Sequence, residues 1–127
     1  MRFRSPLSQA GGLGAAREGT HHFWMQRVTA VALVPLMLWL AASLVAMGSA
    51  DHASVVAWIA SPWVAVLLLA CILALFLHAQ LGLQVVIEDY VHGEGLKVAS
   101  LVATKLLSVL LAMAAAVAVL RIALGGG

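Results

Sequence analysis

His78 is the residue in this chain that packing alone explains least well. It lies in a run from His52 to Ile87 that contains no Asp, Glu, Lys or Arg. An ionisable side chain within hydrocarbon is costly and by default indicates a functional site. A neutral imidazole can bind iron, as in haem proteins, or hydrogen-bond a neighbouring helix. A proton relay is a third interpretation, but the run contains no acid that would receive the proton.

A second group of reactive side chains, Glu88, Asp89 and Tyr90, follows where the apolar run ends. Carboxylates at the C-terminus of a helix face the negative end of its dipole, which is unfavourable by about 0.3–1 kcal/mol each. They are either solvated acids beside an interfacial tyrosine or parts of a site. As a site, the phenol would donate a hydrogen bond to a quinone carbonyl, and the carboxylate would pass protons in from water.

Arg27 begins the first apolar run, and His21 and His22 precede it by one to two helical turns. A cation in this position ordinarily extends toward the lipid head groups. The functional alternative is an ion pair with an acidic ligand group, such as a haem propionate.

The composition places these residues in a membrane protein. The chain is 64% hydrophobic and 9% charged, whereas soluble domains carry about 25% charged residues. A bilayer core about 30 Å thick requires about 20 helical residues, and the residues from Val28 to Ala50 form one charge-free run of that length. The scattered basic residues and the net charge of +2 do not indicate nucleic-acid binding. The single cysteine, Cys71, is expected to be a small core residue.

The chain is predicted to be one all-α integral membrane domain, residues 1–127, with three transmembrane helices. The predicted parts are a glycine-bearing flexible arm over residues 1–26 and spans over about residues 27–48, 62–88 and 98–122. Pro35 is expected to bend the first span, because it removes a backbone hydrogen bond. Asp51 to about Pro62 is predicted to be a connection, with the next helix beginning at Ser61–Pro62.

Lys and Arg are distributed unequally between the two sides of the predicted membrane domain. One side holds Arg2, Arg4, Arg17, Arg27, Lys97 and the nearby Lys105, and the other holds Arg121. Because cytoplasmic segments carry the excess of Lys and Arg, the N-terminus and the second loop should be cytoplasmic. Three spans then place the C-terminus on the opposite side.

This orientation predicts how deep His78 lies in the membrane. It precedes Tyr90 by twelve residues, or about 18 Å of helix, which places it roughly at the middle of the membrane. Asp89 lies close to three full turns after His78 and so points to nearly the same side. Gly82, one turn after His78, leaves space on that face for a bulky flat group such as a porphyrin.

A haem held by two protein ligands would need a second ligand at this depth. The equivalent positions, about residues 36–39 and 107–110, contain no histidine. Met37 would complete a His/Met pair, although methionine in a membrane helix is more often a packing residue. The sequence therefore predicts that this chain provides one ligand of a shared haem site and that another polypeptide donates the second.

Two segments carry a resemblance to a known family: HAQLGLQVVIEDYVH from His78 to His92, and GTHHFWMQRVTA from Gly19 to Ala30. With these motifs, nearly the whole chain resembles the hydrophobic membrane anchor subunit of bacterial succinate dehydrogenase. Two features support this resemblance independently. One is the spacing between His78 and the Asp89-Tyr90 pair, and the other is the segment from His21 to Arg27 at the start of the first helix.

The resemblance implies a multi-pass protein of the bacterial inner membrane in respiratory complex II, which serves the tricarboxylic acid cycle. In that family the anchor is a non-catalytic subunit that shares one haem b with a cytochrome b subunit and docks the flavoprotein and iron–sulphur subunits. His78 would be the axial ligand of the haem iron. Tyr90 and Asp89 would contribute to the ubiquinone site, and Arg27 and His21 would lie near the haem propionates.

The alternative interpretation is a small helical membrane protein without a cofactor, either a transporter subunit or a structural partner of another complex. A transporter would be expected to carry ionisable residues along its spans. In this chain only His78 lies deep, and Lys105 lies nearer the end of a span.

Overall fold

Three long apolar helices make up most of the chain. The structure, a computed structural model, describes the backbone of residues 14–126 and the side chains of residues 20–125. The helices are α1 (Gly14–Ala46), α2 (His52–Ala60), α3 (Pro62–Tyr90) and α4 (Glu94–Arg121), and a π-helical turn, Ile122–Gly126, follows α4. The segments long and apolar enough to cross a membrane are Thr20–Ala46, Pro62–Tyr90 and Glu94–Gly125. The described residues contain no strand, and the prediction of an all-α protein with three spans is confirmed.

The start of α1 differs most from the sequence-based prediction. The sequence predicts an arm over residues 14–26, but α1 already begins at Gly14 and continues through Pro35. Its 33 residues measure about 50 Å at 1.5 Å per residue, well beyond the roughly 30 Å of a bilayer core. The first turns of α1 therefore extend past the hydrocarbon, and residues 1–13 lie outside the described part.

The predicted connection between the first two spans is itself a helix, α2. Asp51 caps it, because a side-chain oxygen of Asp51 accepts a hydrogen bond from the backbone N–H of Ser54 at 2.9 Å. This geometry satisfies a backbone donor that the first turn of a helix leaves without a partner. Trp58 of α2 stacks on Trp39 of α1 with 5.7 Å between the ring centroids. This stacking holds α2 against the end of the bundle that lies away from Tyr90.

Helix α3 begins with Pro62 in its first turn, where a proline has no hydrogen bond to lose. It packs against both α1 and α4 and so lies between them. Three of the few buried apolar side chains belong to it: Ala65, Cys71 and Ala74. Such small side chains let helices approach closely in a membrane.

Large apolar side chains on the outer faces of all three long helices are exposed, among them Val31 (72%), Leu73 (62%) and Leu110 (62%). A soluble domain would bury such surface, whereas a membrane helix presents it to lipid or to a partner helix.

Candidate functional site

His78 lies where α3 contacts α1, and the structure pairs it with a residue that the sequence analysis did not select. Nδ1 of His78 lies 3.1 Å from Oγ1 of Thr29 in α1. Thr29 is 5% exposed and is the one polar residue among the described side chains that is classed as buried. Its hydroxyl also lies 2.8 Å from the carbonyl oxygen of Met25, one turn earlier in α1. His78 itself is half-buried.

The other ring nitrogen of His78, Nε2, has no hydrogen-bond partner among the described residues. It is also absent from the fully enclosed polar atoms without a partner, which are Nε2 of His22 and Oε1 of Gln26. Nε2 of His78 is therefore both unpartnered and accessible from outside the three-helix unit. That is the state a ring nitrogen needs if it is to coordinate a metal supplied from outside.

An exposed apolar stripe runs along α3 beside His78. Leu75 (42% exposed), Ala79 and Val86 (50% exposed) follow one another at helical spacing. They lie about 60–100° from His78 around the helix axis, next to the face that contacts α1. His78 thus stands at the edge between the buried α1–α3 interface and an uncovered apolar surface. A flat apolar ligand, or a partner helix, fits against such a surface.

Gly82 lies on the same face, and part of the space beside it is filled by α1. A Cβ atom built at Gly82 would lie 3.8 Å from Nε2 of Gln26. Along the two helices, Gln26 meets Gly82, Thr29 meets His78, and Met37 meets Cys71, so α1 and α3 run antiparallel with a regular register. The Gln26 side chain of α1 therefore occupies part of the space beside Gly82, although a Cβ at this position would make only an ordinary van der Waals contact with it.

Met37, the candidate second ligand within the chain, lies away from His78. Its sulphur is 3.7 Å from the sulphur of Cys71, and Cys71 is about 10 Å along α3 from His78 at 1.5 Å per residue. Cys71 is 4% exposed, so the prediction that it is a core residue is confirmed. The described residues contain no cluster of three or more His, Cys, Asp or Glu side chains that could hold a metal ion.

Arg27 and His21 lie on different sides of α1. The guanidinium of Arg27 lies 4.9 Å from the ring centroid of Phe23, a cation–π contact one turn closer to the start of the helix. Arg27 is exposed, and no carboxylate in the described chain lies within ion-pair distance of it. His21 instead lines a cavity of about 640 Å³, with lining residues from α1, α3 and α4 that include Lys105. Among the described residues, no hydrogen bond joins either of them to His78.

Asp89 and Tyr90 form the exposed end of α3. Tyr90 is 75% exposed and Asp89 is exposed as well. The helix ends directly after them, where the N–H of Val91 bonds to the carbonyl of Ile87 at 3.0 Å. Glu88 is engaged separately, since its carboxylate accepts a hydrogen bond from the amide of Gln84 at 3.1 Å. Asp89 and Tyr90 are thus free to face a ligand or a partner surface.

Sequence reasoning missed Thr29, although a signal for it existed. Thr29 and Ser43 are the polar side chains between Val28 and Met47, within the first predicted span. A buried hydroxyl needs a hydrogen-bond partner, and His78 was the deep ionisable group that α3 offered. The antiparallel register that joins the two depends on packing along the whole α1–α3 interface, which a single sequence does not show.

Comparison with known proteins agrees with this architecture. Residues 1–120 match the model of the family described as "Succinate dehydrogenase/Fumarate reductase transmembrane subunit". The chain is 37% identical over 117 residues to the succinate dehydrogenase hydrophobic membrane anchor subunit of Rickettsia bellii, an alignment that covers 92% of this chain and 94% of the relative. It is 30% identical over 128 residues to the protein of the same name from Paracoccus denitrificans, covering 98% and 96%. The resemblance found from the His78–His92 and Gly19–Ala30 motifs is thereby confirmed, and the chain belongs to the succinate dehydrogenase/fumarate reductase transmembrane subunit family.

Proposed function

We propose that this chain is the anchor subunit of a succinate:ubiquinone oxidoreductase in the bacterial inner membrane, and that it shares one haem b with a cytochrome b subunit through His78. Membership of the family supports the anchor role. The observation that carries the haem assignment is the accessible, unpartnered Nε2 of His78 beside an exposed apolar stripe.

The residues around His78 fit a haem that lies between two subunits. One ring nitrogen contacts Thr29 and the other is accessible, and Leu75 and Val86 are exposed on the neighbouring face of α3. With Met37 against Cys71, the described residues of this chain offer no second ligand at this depth. A second protein ligand would then come from the cytochrome b subunit, which would also cover the apolar stripe. The iron, when bound, would carry single electrons.

The exposed end of α3 supplies the residues proposed for ubiquinone. The phenol of Tyr90 donates a hydrogen bond to a quinone carbonyl, and Asp89 passes protons from the aqueous side as the quinone is reduced. Both residues are exposed in this chain, so the pocket requires walls from the cytochrome b and iron–sulphur subunits. We infer that the described residues do not form a complete active site and that succinate oxidation belongs to the flavoprotein subunit.

Arg27 is proposed to pair with a haem propionate. Its side chain already extends toward the start of α1, where it lies over Phe23, and the surrounding surface is exposed and apolar, with Trp24, Val28 and Val31 beside it. His21 is the weaker candidate, because it lines the cavity that contains Lys105 on another side of the helix.

Affinity purification of the tagged chain in a mild detergent tests the proposal. We expect a flavoprotein, an iron–sulphur protein and a second three-helix subunit to co-purify, with one haem b per complex. The chain expressed without the cytochrome b subunit should bind no haem stably, because it supplies half of the ligand set. Recovery of the chain without these subunits, or of the complex without haem, would contradict the proposal.

A further inference from the structure

We propose that Thr29 is a positioning residue for His78. It fixes the tautomer with the proton on Nδ1 and holds the ring so that the lone pair of Nε2 faces outward. The inference rests on the proposed haem function and assigns a role to a side chain in another helix. The hydroxyl of Thr29 is buried and has only one proton for its three polar neighbours.

The hydroxyl of Thr29 has one proton and two kinds of neighbour. Its oxygen lies 2.8 Å from the carbonyl oxygen of Met25 and 3.1 Å from that of Gln26. Carbonyl oxygens only accept hydrogen bonds, so the contact of 2.8 Å requires the proton of the hydroxyl. Thr29 must then act as the acceptor toward its third neighbour, Nδ1 of His78 at 3.1 Å. An acceptor at that distance requires the imidazole proton to be on Nδ1.

The opposite assignment leaves an unfavourable contact. If Thr29 donated its proton to an unprotonated Nδ1, its oxygen would lie 2.8 Å from the carbonyl of Met25 with no proton between the two oxygens. Thr29 is 5% exposed, so water could not separate the two dipoles. Because unmatched polar groups are penalised most in a buried, low-dielectric setting, the tautomer with Nδ1–H is the stable one.

Threonine suits this position better than other hydroxyl residues. A threonine hydroxyl in a helix bonds readily to the carbonyl four residues earlier, and its branched Cβ restricts the side chain to few rotamers. The surroundings are tight, since Leu33 (9% exposed), one turn along α1, and Ala74 (8% exposed), one turn before His78, are also buried. Oγ1 is therefore fixed toward α3, and the ring of His78 is fixed with it.

This arrangement affects how His78 binds iron. A hydrogen bond from Nδ1–H to an acceptor fixes the orientation of a ligating histidine and raises its basicity, and loss of such a partner typically weakens metal binding by about 10–100-fold. Thr29→Val keeps the shape of the side chain and removes the acceptor. In the purified complex we expect haem to dissociate about 10–100-fold faster from this variant. We also expect a higher haem midpoint potential, because a weaker donor stabilises the ferric state less.

The design includes a rescue variant and a matched control. Thr29→Ser retains the hydroxyl and should restore haem retention and the midpoint potential to near the wild-type values. Thr104→Val makes the same change in α4 at a half-buried position and should leave both quantities unchanged. The ¹³C and ¹⁵N chemical shifts of His78 in the haem-free full chain, reconstituted in nanodiscs, should report the Nδ1–H tautomer in the wild type and a mixture of tautomers in Thr29→Val.

The outcomes separate this inference from the proposed function. If His78→Ala abolishes the haem spectrum while Thr29→Val matches the wild type in dissociation rate, potential and tautomer, the role of Thr29 is wrong and the haem proposal stands. If His78→Ala retains the spectrum, the haem ligation and this inference both fall. If the complex with Thr29→Val does not assemble, the Thr29→Ser variant and the tautomer measurement test the role of Thr29 instead. A Thr29→Ser variant that loses as much haem as His78→Ala would overturn the inference.

Discussion

Substitution of Gly82 tests the packing of α1 on α3 and separates it from the space available for a cofactor. A Cβ built at Gly82 meets Nε2 of Gln26 at 3.8 Å, an ordinary van der Waals distance. Gly82→Ala should therefore fit without movement, and replacing glycine in a helix adds up to about 1 kcal/mol of stability. Gly82→Leu would push its side chain into the Gln26 amide, and such overpacking costs about 1–3 kcal/mol. The two variants should change stability in opposite directions.

The assay is thermal denaturation of the purified complex in detergent, with haem content measured in parallel. Gly82→Ala is expected to keep or raise the denaturation midpoint and to retain haem, whereas Gly82→Leu should lower the midpoint. Gly95, in the first turn of α4, provides the matched control because a Cβ there meets nothing within 4 Å. Gly95→Leu should leave α1–α3 packing intact. Loss of haem in Gly82→Ala at an unchanged midpoint would refute this reasoning and would assign the space at Gly82 to the cofactor.

Three further predictions concern other parts of the chain. Tyr90→Phe should lower quinone reduction several-fold and leave succinate oxidation by an artificial acceptor intact, and equal loss of both activities would indicate failed assembly instead. The pKa of Asp51 lies below its usual 3.8, because the hydroxyl and the backbone N–H of Ser54 donate hydrogen bonds to the carboxylate. The cap on α2 is therefore fully present above about pH 3.8 and is lost as the pH falls through the lower folded-state pKa,. Amide hydrogen exchange at Ser54, relative to its intrinsic rate, should accelerate as the pH falls through that pKa. Asp51→Ala should show the faster relative exchange already above that pKa, and Asp51→Asn should show no such pH dependence. Met37→Leu should leave the haem spectrum unchanged, since the sulphur of Met37 packs on Cys71, and a changed axial-ligand signature would reinstate Met37 as a ligand.

The helical architecture was predictable because membrane insertion depends on the length and hydrophobicity of apolar segments and hardly on the order of residues within them. The start of the second span at Pro62 was predicted correctly, since proline and the preceding Ser61 form a local helix-start signal,. The start of α1 at Gly14 was not predicted. The glycines and charged residues before the first apolar run indicated an arm, but the helix of that run extends back through them. Helix α2 was missed as well, although Asp51 three residues before Ser54 is a usable cap signal,.

The candidate site was predictable only in part, for a different physical reason. His78 stood out because an imidazole is rare in hydrocarbon, and Tyr90 because it lies just after the end of an apolar run. The partner of His78 depends on which residues of α1 and α3 meet, and that register depends on packing along the whole interface, where Ala74 is buried. Arg27 and His21 look like neighbours in sequence, yet six residues place them about 120° apart around a helix. Which residues each of them contacts was therefore known only from the structure, where Arg27 lies over Phe23 and His21 lines the cavity that contains Lys105.

The central claim is that His78 supplies one of the two haem ligands, and the reduced-minus-oxidised absorption spectrum of the purified complex tests it most directly. The wild-type complex should show a low-spin b-type spectrum. His78→Ala should weaken or abolish that spectrum while the other subunits still co-purify. His52→Ala, an exposed histidine at the start of α2, should leave it unchanged. An unaltered spectrum and haem content in His78→Ala would contradict the account.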